Sequence, residues 1–222
     1  MDSAHVSLVA LKLNESGFES YRCDKPITLG INLLDFAKIL KMAMNDDTLT
    51  LRADEDNSYL QIQFVSKKND RSVEYLLNLL NIEAEALGIP DTEYPTYIKM
   101  SSGEFTKITK ELSVLSEVVN IEVTGKQAKF TFSGKSGSGN IILKANTTEN
   151  GDDDIEIECD EKVSSTYGLQ YLTGFAKASG LTNRIGLYLS SSFPLMIEYD
   201  IEKIGYIKFF LAPKMDDEDQ NN

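Results

Sequence analysis

Histidine and cysteine are almost missing from this 222-residue chain, which has one of the first and two of the second. His5 alone cannot complete a Ser-His-Asp or Cys-His arrangement. With no CxxC beside it, a zinc cluster is excluded as well. Cys23 and Cys159 stand far apart, and in a chain without a secretory leader they are expected to be reduced. Met1-Asp2-Ser3-Ala4-His5 has neither the basic segment nor the apolar core of such a leader. No apolar run approaches the roughly 18 residues that span a bilayer. Gly134-Lys135-Ser136 fails as a phosphate loop, because the position five before Gly134 holds Lys129 instead of glycine. These gaps leave little for catalysis, and the chain is expected to be no enzyme and to need no cofactor or metal.

Positive charge is also scarce: 22 basic residues face 35 acidic ones, a net −13. Asp216, Asp217, Glu218 and Asp219 place part of the excess in a C-terminal tail at 215–222, expected to be solvated and disordered. Asp152 to Asp154 place more of it in a turn. A body this acidic does not bind nucleic acid through its whole surface, but a local basic face remains open to it. Hydrophobic residues at 41% and charged residues at 26% are globular values, enough for a real core.

Short alternating segments dominate what is present. Val6–Leu11, Leu49–Arg52, Leu60–Phe64, Lys129–Phe132, Asn140–Leu143, Ile155–Glu158 and Ile207–Leu211 have the period-2 pattern of half-buried strands. Leu33–Met44, Ser102–Glu117 and Gly168–Ser179 read as helices, each followed by a strand. Phe36-Ala37-Lys38-Ile39-Leu40-Lys41 and Phe105-Thr106-Lys107-Ile108-Thr109-Lys110 share the pattern F-x-K-I-x-K, 69 residues apart, and Tyr171–Lys177 is a weaker third copy. The unit is a strand, a helix, then several strands. Two units fall in 97–222 and one in 1–96, with strands in 1–24 that read as the end of a further unit. Lys38 and Lys41 on the first helix, Lys107 and Lys110 on the second and Lys177 on the third are candidates for a phosphate-facing surface, against the plainer reading of solvated helix faces. Leu79–Thr96 reads as an extended connector, apolar at Leu87-Gly88-Ile89-Pro90 within an acidic stretch. Leu211-Ala212-Pro213-Lys214 ends the last strand and could form one wall of a peptide groove.

Asp2–Val9, Gly17-Phe18-Glu19-Ser20-Tyr21-Arg22-Cys23-Asp24, Leu87-Gly88-Ile89-Pro90 and Leu211-Ala212-Pro213-Lys214 closely resemble the proliferating cell nuclear antigen family, the eukaryotic sliding clamps of DNA replication and repair. The resemblance runs from Met1 to the acidic tail. It implies an α+β DNA-clamp architecture, with two similar domains of antiparallel sheets and helices lining a ring. The domains would span 1–78 and 97–214, joined by a connector at 79–96. Family members begin with a further strand–helix–strand unit of about forty residues, so the first domain is expected to be incomplete and to expose apolar sheet surface.

The resemblance also assigns sites. Lys38, Lys41, Lys107, Lys110 and Lys177 would face double-stranded DNA without reading sequence. Gln170 stands where the family usually has an arginine. The partner-peptide groove would be walled by His5, Val6, Leu8, Leu87, Ile89, Pro90, Pro194, Phe210, Ala212 and Pro213, and would take an aliphatic and two aromatic anchors from polymerases, ligases, nucleases and clamp loaders. A homotrimer would close by pairing Val73–Leu80 of one subunit with Gly139–Lys144 of the next, through Tyr75, Leu77, Ile141 and Leu143. The family's modified lysine aligns with Gly125, beside Lys126. The implied location is the nucleus, with no membrane. A shortened monomer that keeps the groove without encircling DNA is the alternative.

Overall fold

The computed structural model describes residues 4–54, 58–82, 92–135, 137–146 and 154–214. Leu87, Ile89, Pro90 and the rest of connector residues 83–91 lie outside them, as does the acidic tail. The chain divides into two compact units, one of residues 1–21 with 91–222 and the other of 22–90.

The larger unit begins with β1 (Ser7–Leu13), which pairs antiparallel with the last strand, β13 (Gly205–Leu211). Between Asp91 and Asn222 its elements run β5 (Thr96–Ser101), α2 (Ser102–Leu115), β6 (Val118–Thr124), β7 (Gln127–Gly134), β8 (Gly137–Lys144) and β9 (Glu156–Cys159). They continue with β10 (Val163–Gly168), α3 (Leu169–Phe175), a 3-10 turn at Ala176–Gly180, β11 (Arg184–Leu189) and β12 (Leu195–Ile201). The smaller unit holds α1 (Leu33–Leu40), β2 (Thr48–Arg52), β3 (Tyr59–Val65) and β4 (Ser72–Asn78). Each sequence-derived helix is present but shorter. The Gly168–Ser179 prediction divides into α3 and the 3-10 turn, and α1 stops at Leu40 where Lys41 caps it.

Two sheets build the larger unit, one ordered β1-β13-β12-β11-β5-β9 and the other β10-β6-β7-β8. β5 leads into α2 but pairs with β11, the strand after α3. β10 leads into α3 but pairs with β6, the strand after α2. The junctions match: the Ser102 amide donates to the Asn183 carbonyl at 2.8 Å, and the Leu169 amide to the Glu117 carbonyl at 2.9 Å. Helix α2 starts where the Ser101 hydroxyl accepts from the Glu104 amide at 3.2 Å. Phe105, Ile108, Thr109 and Leu112 recur at helical spacing and are all buried. α3 packs beside α2, and Phe175 stacks on Phe209 with ring centroids 4.6 Å apart. The buried Tyr199 hydroxyl donates to the Phe175 carbonyl at 3.0 Å, so this large ring enters the core with its polar end satisfied. At the β6–β7 turn Gly125 adopts φ +55°, a conformation that favours glycine.

The smaller unit orders its sheet β2-β3-β4 around Leu60, Ile62, Phe64 and Leu77. Asn32 caps α1 by accepting from the Leu34 and Asp35 amides. The Leu80 amide donates to the Gly30 carbonyl at 2.8 Å, two residues before that cap. In the larger unit the Lys214 amide donates to the Thr166 carbonyl, two residues before the α3 cap Gly168, also at 2.8 Å. By this bond α1 with β2–β4 corresponds to α3 with β11–β13, although its F-x-K-I-x-K sequence matches α2. β11 has β5 on its second edge, while β2 has one neighbour among the described residues. Leu49 and Leu51, on the core side of β2 opposite Phe64 and Ile62, remain 44% and 45% exposed, which is the apolar surface expected of the first sheet.

Ile108 anchors α2 to the larger core at 1% exposure. Ile108→Ala is expected to lower stability by about 2–5 kcal/mol, read from the urea unfolding midpoint at constant slope.

Candidate functional site

The helices and the outer strand faces present two different chemistries. On α2, Lys107 and Lys110 are exposed on the face opposite Phe105, Ile108 and Leu112. Gln170, Gly174 and Lys177, spaced i, i+4 and i+7, are exposed along α3 and its 3-10 extension. Among the described residues Lys107, Lys110 and Lys177 have no ion pair. On the outer face of the six-stranded sheet Lys99 meets Glu156 at 3.3 Å and Lys208 meets Glu198 at 3.4 Å, while Lys12 on β1 has no ion pair among the described residues. In the smaller unit Lys38 and Lys41 are exposed, with Lys38 held by Asp35 at 2.8 Å. Gln170 lines a cavity of about 300 Å³ with Ser113, Thr173 and Lys214, so a lysine stands near the position without arginine.

The other face of the six-stranded sheet carries the groove residues. Register places Leu8 beside Phe210, Phe210 beside Met196, Met196 beside Tyr188, Tyr188 beside Tyr97 and Tyr97 beside Glu158. Cross-strand neighbours share a face, so this is one continuous row. His5, at φ +58°, turns the chain toward β1, and the Val6 carbonyl accepts from the Ala212 amide at 2.9 Å. Pro194 precedes Leu195, the partner of Leu211. The structure therefore gathers His5, Val6, Leu8, Pro194, Phe210, Ala212 and Pro213 at one end of one face. Leu87, Ile89 and Pro90 lie outside the described residues.

Sequence reasoning missed Met196, which lies between Phe210 and Tyr188, and Tyr94, whose hydroxyl donates to the Pro194 carbonyl at 2.9 Å. Alternation marked β13 as a strand but not β12, and only register makes Met196 a neighbour of Phe210.

β4 and β8 are each the last strand of their sheet. Leu77 and Leu143 are buried at 8% and 7% exposure, and Ile141 packs against the larger core, so these three secure the strands from inside. Tyr75 sits edge-on to Phe64 at 6.2 Å, with its hydroxyl 2.9 Å from the Met42 sulfur. Leu76 and Ile142 are the exposed apolar side chains of the two strands, at 54% and 46%. Lys126 donates to the Ile157 carbonyl at 3.0 Å. Cys23 and Cys159 are free. Among the described residues no cluster of three His, Cys, Asp or Glu side chains is placed to hold a metal.

Antiparallel sheets with a few helices and free end strands define the DNA-clamp class of fold. The chain belongs to the proliferating cell nuclear antigen family. The family's N-terminal domain matches residues 1–86 and its C-terminal domain residues 88–214. A proliferating cell nuclear antigen from Chaetomium thermophilum is 44% identical over 220 residues, covering 99% of this chain and 85% of that protein. The family's function is that of a sliding clamp.

On the outer row, a hydrogen bond to the Glu158 carboxylate, and secondarily burial, push the Tyr97 hydroxyl up to about 12. Glu158→Gln removes the carboxylate charge and weakens that hydrogen bond, and is expected to bring Tyr97 part of the way back toward the ordinary value near 10, followed through the ring-carbon NMR shift against pH.

Proposed function

We propose that three copies of this chain close into a ring around double-stranded DNA in the nucleus, raise polymerase processivity and recruit replication and repair proteins through the outer groove. The observation that carries this reading is the set of exposed helix lysines Lys107, Lys110 and Lys177, free of ion pairs among the described residues of a chain with net charge −13. Lys38 and Lys41 are the corresponding exposed lysines of α1. Lysines meet phosphates without reading bases, which suits a contact that must move along any sequence. Retention then comes from encirclement, and the overall negative charge is no obstacle.

The groove takes a peptide with an aliphatic and two aromatic anchors, against Leu8, Phe210, Met196 and Pro194. DNA polymerase, ligase, nuclease and clamp-loader proteins are the partners this reading names. It assigns no reaction to the chain; the ATP that opens a ring is the loader's substrate.

Ring closure is supported by the free edges of β4 and β8 among the described residues. Antiparallel pairing of β4 in one subunit with β8 in the next satisfies both edges and extends each sheet. Tyr75 is the proposed anchor. A heterologous contact of this kind closes when three copies complete the rotation.

Light scattering after size exclusion at micromolar concentration is expected to give three times 24.8 kDa, about 74 kDa. Tyr75→Ala is expected to shift the mass toward 24.8 kDa. A 24.8 kDa species in the unmodified chain would overturn the ring and leave the monomeric peptide-binding module.

Replacing Lys107 and Lys110 together by alanine is expected to weaken binding to a labelled DNA duplex equally for all sequences. The slope of log affinity against log salt should fall by about one unit per lysine. An unchanged slope removes these two residues from the DNA contact.

A further inference from the structure

Four rings form a chain on the outer face beyond the groove. Tyr97 and Tyr188 lie 6.1 Å apart by ring centroids, Tyr188 and Tyr94 6.1 Å, and Tyr94 and Phe193 6.2 Å. All three spacings fall within the range of favourable aromatic pairs. Tyr94 joins this shelf to the groove through its bond to the Pro194 carbonyl, and Met196 joins it through the register with Phe210.

Gly186 explains how Tyr188 lies. A Cβ at that position would stand 2.6 Å from the Tyr188 ring, so only the bare glycine leaves room for the ring to lie there. The surroundings are acidic. Glu158 holds the Tyr97 hydroxyl, and Glu198 and Asp200 lie near Tyr188. Among the described residues Glu158 meets no cation. Lys99 Nζ stands 4.8 Å over the Tyr97 ring, so the shelf already holds one ammonium over a π face. Tyr188 carries none.

We propose that this shelf is a subsite for an arginine or lysine on the flank of the bound peptide, which lies over the Tyr188 ring and faces Glu158. The inference rests on the groove reading above, because the groove anchors the peptide and the shelf continues its floor. Guanidinium is the better fit, being planar, weakly hydrated and able to stack on a ring. Local carboxylates supply the charge complementarity, and the ring face converts a diffuse attraction into a located contact.

Two synthetic peptides of equal length test this, both carrying one aliphatic and two aromatic anchors. One has three arginines on each flank, and the other has glutamines there. Calorimetry with the full chain near physiological salt is expected to give the arginine peptide about tenfold tighter binding. Tyr188→Leu together with Tyr97→Leu is expected to cut that ratio to about threefold or less, leaving only the diffuse attraction of an acidic protein. Tyr188→Phe keeps the ring face and is expected to keep the ratio, with thermal melts confirming that each variant is folded. A ratio near one, or one untouched by the double leucine variant, overturns the shelf. Failure of the glutamine peptide to bind the unmodified chain overturns the groove instead. In that case, arginine-peptide binding that still falls in the leucine variant supports the shelf by itself.

Discussion

Each helix of the larger unit is entered from a strand that belongs to the other helix's sheet. β5 feeds α2 and pairs with β11; β10 feeds α3 and pairs with β6. Neither half can therefore complete its sheet alone. The exchange also fixes α2 and α3 side by side, because both helices start from strands already locked into the opposite sheet. The bonds from Ser102 to Asn183 and from Leu169 to Glu117 hold the two crossing points. Leucines, isoleucines and aromatic rings from both sheets then fill one core with the helices, including the Phe175–Phe209 stack.

This constraint separates the surface into two chemistries. Once both helices lie on one side, their polar stripes share that side, and lysines that would be ordinary solvated charges become neighbours. The strands' alternation sends the other set of side chains outward, where Tyr, Met and Phe form a row and the next row is charged. There Lys99 and Lys208 are each spent on a carboxylate, whereas Lys107, Lys110 and Lys177 are not. An exposed ion pair contributes at most about 1 kcal/mol to stability. The pairing matters more for what it leaves: the helix lysines keep their ammonium groups free for a partner, whereas those of Lys99 and Lys208 are met within the sheet. Gly205, at φ +148° against the Lys12 carbonyl, lets β1 approach β13 closely enough to complete the outer row with Leu8.

Much of this was legible locally. The period of α2 and its Ser101 cap are written in consecutive residues, and so is the alternation of β3, β7 and β13. The lysine stripes followed from helical spacing, and the groove residues from motifs at the two ends of the chain. Register was not legible. Nothing near Met196 says that Phe210 and Tyr188 will flank it, because those pairings are set by sheet order among strands far apart in sequence. Tyr97 and Tyr188 read as ordinary strand tyrosines until β5 and β11 are seen to be neighbours. The repeat misleads in one respect for the same reason: α1 shares its lysine pattern with α2, but the bond joining Leu80 to Gly30 gives it the place of α3. A surface pattern can recur on any helix, while the bond behind a helix cap reports which strands surround it.

The smaller unit shows the other side of the same rule. Its β2 occupies the place of β11 without a strand in the place of β5, and Leu49 and Leu51 stay half in water. Leu33 and Leu34 at the start of α1 are 74% and 76% exposed. Burying a leucine side chain contributes about 1.5–3 kcal/mol, so four such residues left open forgo a sizeable part of a small core's stability. In the larger unit the same exposure falls on β1, where Val9 and Leu11, paired with the core-side Phe209 and Ile207, are 52% and 58% exposed. The helix lysines of that unit stand instead on the exchanged strands β5, β6, β10 and β11, whose core residues Ile98, Ile121, Tyr167 and Leu187 are fully buried.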